Sequence, residues 1–217
     1  MSFCRFLAIL LIAVLPLACA TPPQTAENSP ERVVEETFLA YKEALLAHRG
    51  NAAAELVTEE SWEYYRDLAD EALTANRARL EGADFTDRVT ILMFRLGLTR
   101  EQLRRLSGRE LVAKSIDEGW FSEELTARLR LTDYRISGDT ARAFALDQVG
   151  KPSTSSLSFQ RERGAWRLDL LQAINDSRKV MTLAIAISGM TEEELLFATL
   201  EEGTGRRPGP EIWNPPI

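Results

Sequence analysis

The chain has 217 residues, of which 45% are hydrophobic and 27% are charged, and its formal net charge is −7. This length and composition predict one globular domain with a substantial core, and they exclude a wholly disordered chain. Acidic and basic residues are mixed along the chain rather than grouped. Because no basic stripe is available to displace counterions, we predict no nucleic-acid partner.

Residues 1–20 predict a signal peptide. Arg5 precedes an apolar run, Phe6 to Leu17, that is short for a membrane span of ~20 residues. Two cleavages are compatible with the sequence. The small-x-small pattern at residues 18–20 would release a soluble chain, whereas Leu-Ala-Cys at residues 17–19 resembles a bacterial lipobox that would leave Cys19 lipidated. Both predict an exported protein, either periplasmic or an outer-membrane lipoprotein, whose membrane contact is limited to that lipid.

Residues 21–29 are polar and contain two prolines, which predicts a linker. Ser29 then predicts an N-cap, with Pro30 in the first turn of a helix. We expect this helix to end near residues 49–51, where Gly50 can adopt a left-handed conformation. Four apolar residues at helical spacing form its buried stripe: Val34, Phe38, Tyr41 and Leu45.

A second long helix is predicted to begin at Thr58 and to run towards Gly82, with Trp62 and Tyr65 on one side. Several short helices are predicted over residues 84–120, because capping boxes recur there at short spacing. These helices lead directly into a region with a different periodicity.

From Ala127 to Ile174 the sequence predicts four antiparallel strands joined by short turns, with turn signals at residues 138–139 and 163–164. The last strand is predicted over residues 165–174. Its alternation places one set of side chains in the core (Trp166, Leu168 and Leu170) and the other towards solvent (Arg167 and Asp169). The alanine-rich face of the second strand leaves room for a packed helix or a cavity. Helices followed by such a sheet indicate an α+β fold.

Beyond residue 175, the apolar run Val180–Ile187 predicts a buried or interface helix. Residues 176–203 are expected to form C-terminal helices that pack on the domain, followed by a proline-rich tail at 204–217. We expect Ile212 and Trp213 to join the apolar helix in one contact surface. The tail either folds back on its own domain or docks on a neighbouring subunit or another envelope protein, and a homodimer is one possible assembly.

The order of these elements resembles the NTF2-like superfamily. The resemblance rests on a first helix with Phe38 and Tyr41, a second with Trp62 and Tyr65, and a four-strand meander that closes on the sequence AWRLDLL. It covers residues 30–175 and implies a bent sheet that wraps around the helices as a cone with a lumen. The superfamily includes isomerases, hydrolases and modules without chemistry, so the resemblance alone implies no single function.

Five residues are candidates for contact with a ligand in such a lumen: Tyr41, Trp62, Tyr65, Asp133 and Tyr134. The single histidine, His48, is expected to be exposed near a helix C-terminus. Asp133, Asp147 and Asp169 lie on predicted strands, where burial could make a carboxylate a general base. No metal motif, phosphate loop or nucleophile motif is present, so we predict no metal and no cofactor.

The sequence therefore predicts a non-catalytic, exported or membrane-anchored domain that binds an envelope protein or a small apolar ligand. The alternative is a lumen enzyme, of isomerase or hydrolase type, that uses an Asp as general base. An enclosed, buried Asp beside a polar partner would favour the enzyme, and a lumen filled by apolar side chains would oppose it.

Overall fold

The computed structural model describes residues 29–216, so the predicted signal peptide, Cys19 and residues 21–28 of the linker lie outside the described part. Described residues form ten α-helices, four strands and a 3-10 helix at Pro210–Trp213. The helices are α1 (Pro30–Leu46), α2 (Gly50–Ala54), α3 (Glu59–Thr74), α4 (Arg77–Glu81), α5 (Phe85–Gly97), α6 (Arg100–Arg105), α7 (Gly108–Asp117), α8 (Glu123–Arg128), α9 (Leu170–Ser188) and α10 (Glu192–Thr204). The strands are β1 (Leu131–Ser137), β2 (Thr140–Leu146), β3 (Pro152–Glu162) and β4 (Ala165–Leu168).

The sheet is an antiparallel meander in the order β1-β2-β3-β4, which confirms the predicted α+β class and strand order. The register shifts between Thr132 and Arg135 in β1, and between Phe144 and Leu146 in β2. Bulges of this kind bend a strand and increase its twist. The sheet is therefore irregular at two points on neighbouring strands.

The predicted end of the last strand is wrong, because β4 stops at Leu168 and Asp169 begins α9. The Asp169 side chain accepts the Gln172 backbone N–H at 2.8 Å and the Gln160 side-chain amide at 3.0 Å. It is 6% exposed instead of facing solvent. Arg167 is half-buried, and Leu170 lies on the helix and is only partly buried. Local capping by the aspartate thus overrides the strand pattern.

Helix boundaries follow local signals with two exceptions. Ser29 caps α1 as predicted, but α1 ends at Leu46 and the left-handed residue is His48 (φ 50°). Gly50 begins α2 instead, because its backbone packs against the Ala113 carbonyl and its N–H donates to Asp117 at 2.7 Å. The second exception is α3, which ends at Thr74 before the separate helix α4.

Buried side chains form two cores. The sheet-side core lies between α1, α2, α7 and one face of the sheet, and it includes Val34, Phe38, Leu45, Val57, Val112, Ile116, Ala141, Ala143, Phe159, Trp166 and Leu168. The helical core lies between α3, α5, α6, α7, α10 and the 3-10 helix, and it includes Leu68, Leu92, Phe94, Leu103, Leu111, Leu196, Leu200, Ile212 and Trp213. Trp166 and Leu168 are thus buried as predicted.

The tail lies against the protein's own helical core. Ile212 is 6% exposed and Trp213 is 4% exposed, so neither belongs to an open contact surface. On α9, Leu183 and Ile187 are exposed, while the side chains of Val180 and Ala184 lie outside the described part. None of the helices within residues 29–216 combines the length and apolar character needed to cross a membrane.

Candidate functional site

A cleft of about 510 Å³ lies between α1, α3, α7, α8 and the first turns of α9. We call it the apolar cleft, and it is lined by Tyr41, Leu45, Tyr65, Val112, Ser115, Ile116, Trp120, Phe121, Ser122, Leu125, Thr126, Leu170, Ala173, Ile174 and Ser177. Among these lining residues none carries a charge. Its volume is within the range of about 300–1,000 Å³ that small-molecule sites occupy.

Two tyrosines from different helices meet in the apolar cleft. Tyr41 lies on the buried stripe of α1, and Tyr65 lies on α3, where its ring packs 6.2 Å from the ring of Phe94. Both were predicted as ligand contacts. Helical periodicity places each tyrosine on the inner face of its helix, and the packing of α1 and α3 around α7 brings them to one cleft.

Burial extends the neutral form of both phenols to higher pH. Desolvation raises the pKa of Tyr41 above its ordinary value, with Tyr65 as a further cause, and desolvation raises the pKa of Tyr65 to about 12. Neither rise in pKa is caused by a hydrogen bond from the phenol to another described group. A protonated phenol can donate one hydrogen bond and accept others. The lining of the apolar cleft therefore includes two protonated phenols beside the hydroxyl groups of Ser115, Ser122, Thr126 and Ser177, and its other residues are apolar.

The first turns of α9 form another wall of the apolar cleft. Asp169 fixes the start of the helix, and the Leu171 N–H donates to the Ser61 hydroxyl of α3 at 3.1 Å. Leu170, Ala173 and Ile174 then face the cleft. Small Ala173 leaves space that a larger side chain would fill.

The segment between α7 and β1 borders the cleft on another side. Trp120 packs against Phe94 at 6.0 Å between ring centroids and lies so close to Gly97 that a Cβ there would overlap the indole. Phe121 and the partly buried Thr126 follow on the same segment. The helix in this wall, α8, has no buried residue.

The other three predicted ligand residues lie outside the apolar cleft. Trp62 donates from Nε1 to the Ala54 carbonyl at 3.1 Å and lines a larger, more open groove of about 640 Å³ with charged α3 and α7 residues. Asp133 is exposed in the β1 bulge (φ 51°) and pairs with Arg135 at 2.5 Å, which lowers its carboxyl pKa. Tyr134 is half-buried, and desolvation raises its pKa to about 12.

The remaining acids and the histidine also lie away from the cleft lining. Asp147 is exposed and accepts the N–H groups of Val149 and Lys151, at 2.9 and 2.8 Å, in the β2–β3 turn. His48 is exposed near the end of α1, as predicted. Within residues 29–216, no group of three or more His, Cys, Asp or Glu side chains is placed to hold a metal ion.

Sequence reasoning missed the residues that the first turns of α9 and the α7–β1 connection contribute. Leu170, Ala173 and Ile174 were assigned to a strand or left unplaced, because the capping role of Asp169 was not recognised. The Asp-x-x-Gln spacing at residues 169–172 was the available signal. Phe121 carries no such signal, since a single aromatic in a connection predicts no particular contact.

Comparisons of the chain with protein-family models, with curated proteins and with solved structures found no match. The geometry of the apolar cleft therefore carries the functional conclusion.

Proposed function

We propose that this protein is a non-catalytic ligand-binding domain that holds a small, predominantly apolar molecule in the apolar cleft. The supporting observation is a cleft of about 510 Å³ lined by uncharged residues, with both Tyr41 and Tyr65 in its lining. Apolar walls favour binding by removing ligand surface from water. A small number of polar groups orient a ligand within such a site.

The uncharged lining favours binding over general-base catalysis. A general base must lie within hydrogen-bond reach of the proton it removes. The lining supplies no carboxylate or imidazole. The phenols of Tyr41 and Tyr65 are protonated at neutral pH because a phenol has an ordinary pKa of about 10, and burial raises both pKa values further. The alternative enzyme would need an Asp at this position. Asp169 is buried, but its carboxylate is engaged by Gln160 and by the start of α9.

The NTF2-like cone remains part of this proposal, with residues 30–175 as the domain and 176–203 as helices packed on it. The antiparallel meander and the two bulges support a bent sheet. The face directed at the helices is filled by Ala141, Ala143 and Phe159, together with Trp166 and Leu168. The ligand space in this proposal lies between helices, beside that packed face.

Export is a further part of the proposal, and it rests on the residue pattern of positions 1–20. Lipidation is tested by labelling cells that express the wild type or the Cys19→Ser variant with a radioactive fatty acid. Label in the wild type and none in the variant supports a lipoprotein. A mature, unlabelled wild-type protein in the periplasm supports the soluble form, and an uncleaved cytoplasmic protein contradicts both.

Ligand binding is tested with a neutral apolar fluorophore such as N-phenyl-1-naphthylamine. Ala173→Leu adds volume to one wall of the cleft, whereas Ala186→Leu makes the same change at an exposed position of the same helix. We expect about a tenfold loss of probe affinity for the first variant, or ~1.4 kcal/mol, and no change for the second. Equal affinity of both variants, with both folded, would contradict the proposal.

A further inference from the structure

We infer that residues 121–129, which we call the flap, open and close the apolar cleft, and that His48 and Glu123 form a pH-sensitive latch that holds the flap shut. This inference rests on the proposed function, because it assigns a regulation to the same cleft. Residues from the flap, including Phe121, Leu125 and Thr126, form one wall of the cleft.

The flap packs on the sheet-side core through the partly buried Phe121 and Leu129, and polar side chains hold it at both ends. Its helix, α8, contains no buried residue, and Leu125 is 71% exposed. At its far end, Lys42 Nζ on α1 donates to the carbonyl groups of Ala127 and Leu129, each at 2.8 Å. At its near end, His48 Nε2 lies 3.0 Å from Glu123 Oε1. Two polar side chains from the α1 region thus hold opposite ends of the flap.

Both ring nitrogens of His48 face acceptors. Nδ1 lies 3.2 Å from the Ile116 carbonyl oxygen at the end of α7, while Nε2 faces the Glu123 carboxylate. A neutral imidazole has one N–H and can satisfy only one of these acceptors, whereas the imidazolium donates to both. The geometry is therefore complete only when His48 is protonated.

The backbone around the ring fixes this position. His48 adopts a left-handed conformation (φ 50°), and a Cβ built on Gly119 (φ 71°) would lie 3.1 Å from its Cε1 atom. The ring of Phe121 is 5.7 Å from the imidazole. Because Phe121 also lines the apolar cleft, movement of the latch changes the cleft wall directly.

Other charged groups near the ring are already engaged. Asp117, at the end of α7, accepts the Gly50 N–H at 2.7 Å, and Arg49 pairs with Glu43 at 2.8 Å. Glu123 therefore provides the carboxylate that faces the imidazole directly. The hydrogen bond to Glu123 is the largest of the effects that raise the pKa of His48 above its ordinary value of 6.5. Desolvation of the imidazole lowers this pKa by a smaller amount.

The direction of the pH effect follows from this raised pKa. A group whose pKa is higher with the contact formed than with it broken favours the contact at low pH. The latch is fully formed below pH 6.5 and is lost as pH rises through the higher pKa of the closed state. Within the pH range in which the imidazole titrates, lower pH thus favours a closed flap and higher pH favours an open flap.

Two measurements on the full chain test the latch itself. The single histidine gives one imidazole Cε1–H signal, so NMR reports the His48 pKa directly. Hydrogen exchange of residues 121–129, corrected for the intrinsic pH dependence, reports opening of the flap. We expect a pKa above 6.5 and exchange that rises about two- to fivefold through that pKa, the range of an exposed ion pair.

Substitutions distinguish a pH-sensitive latch from a general loosening of the flap. Glu123→Gln should lower the His48 pKa and abolish the pH-dependent part of the exchange. His48→Gln should abolish it too, since glutamine does not titrate. Glu124→Gln is the matched control, because Glu124 pairs with Arg128 on the same helix and should leave both readouts unchanged. Corrected exchange that stays flat across the titration of the wild type would overturn the latch.

Probe binding separates failure of the latch from failure of the cleft. If the inference holds, the affinity for N-phenyl-1-naphthylamine falls over the same pH range as flap exchange rises, and Glu123→Gln removes this fall. Binding that is equal at all pH values overturns the regulation while the ligand-binding proposal stands. A pH-dependent flap without probe binding contradicts the proposed function and leaves the latch intact.

Discussion

Gly108 of α7 lies directly against the backbone carbonyl of Trp62 on α3, so closely that a Cβ built on Gly108 would overlap the carbonyl oxygen. This contact joins the two helices that connect the sheet-side core to the helical core. Since α3 carries Tyr65 and α7 carries Val112 and Ile116, their spacing also sets the shape of the apolar cleft.

Gly108→Ala should therefore reduce the free energy of unfolding by about 1–3 kcal/mol, because backbone atoms must move to admit the methyl group. Gly82→Ala is the matched control. A Cβ at Gly82 would lie 3.6 Å from the Ala78 carbonyl oxygen, which is ordinary contact. Urea denaturation of both variants measures the difference, and equal midpoints would contradict the close approach of α3 and α7.

Leu168 connects the last strand to the chain before α3. It is 1% exposed, and its N–H donates to the Leu56 carbonyl at 2.7 Å. Leu168→Ala should cost about 2–5 kcal/mol of unfolding free energy through the cavity it leaves. Leu39→Ala, on a residue that is 52% exposed, should change it by less than about 0.5 kcal/mol. Comparable losses in thermal or urea unfolding would mean that β4 is placed in the wrong register.

The tyrosines provide a test at alkaline pH. All four have a raised pKa, chiefly through desolvation; the pKa of Tyr65 and of Tyr134 rises to about 12. A folded-state pKa above the unfolded value means that stability is fully present below the unfolded pKa of about 10 and is lost as pH rises towards the folded values.

Absorbance at about 295 nm should thus show no phenolate step near pH 10, and the signal should appear together with the loss of helical circular dichroism. Tyr65→Phe should reduce the total amplitude by a quarter, since the chain has four tyrosines. A phenolate step near pH 10 in the folded protein would show that at least one of these rings is open to solvent.

Local signals predicted much of this fold. Ser29 caps a helix at the predicted residue, and the capping boxes predicted within residues 84–120 form at Thr99 and Ser107, because an N-cap and its partner lie within one turn of each other. The strand turns are local in the same sense. The end of β4 was missed, since Asp169 satisfies both a strand alternation and a helix cap, and the hydrogen bonds from Gln172 and from Gln160 across the sheet show which role it has.

The cleft was less predictable than the fold. Tyr41 and Tyr65 stood out because an aromatic on an amphipathic stripe is placed by periodicity alone. Their meeting depends on α1 and α3 packing around α7, which is decided by contacts far apart in sequence. The same is true of His48 and Glu123, separated by 75 positions in the chain. Sequence pattern correctly predicted an exposed histidine but gave no indication of its partner.

The packing of the C-terminal tail can also be tested, because the side chain of Trp213 is buried within the same chain. Trp213 is 4% exposed, packs 6.2 Å from the ring of Phe197, and lies under the Arg77 guanidinium at 4.8 Å. Arg95 also binds the tail, donating from Nη1 to the Ile212 carbonyl at 3.0 Å. The tail thus closes one side of the helical core.

Deleting residues 208–217 should lower the melting temperature without changing the native mass, which mass photometry or light scattering measures. Trp213→Ala should cost about 3–5 kcal/mol, whereas Asn214→Ala, at an exposed neighbouring position, should have little effect. A truncated protein with an unchanged melting temperature would show that the tail contributes nothing to the core. Loss of a dimer at an unchanged melting temperature would instead place Trp213 at a subunit interface, as the sequence alone also allowed.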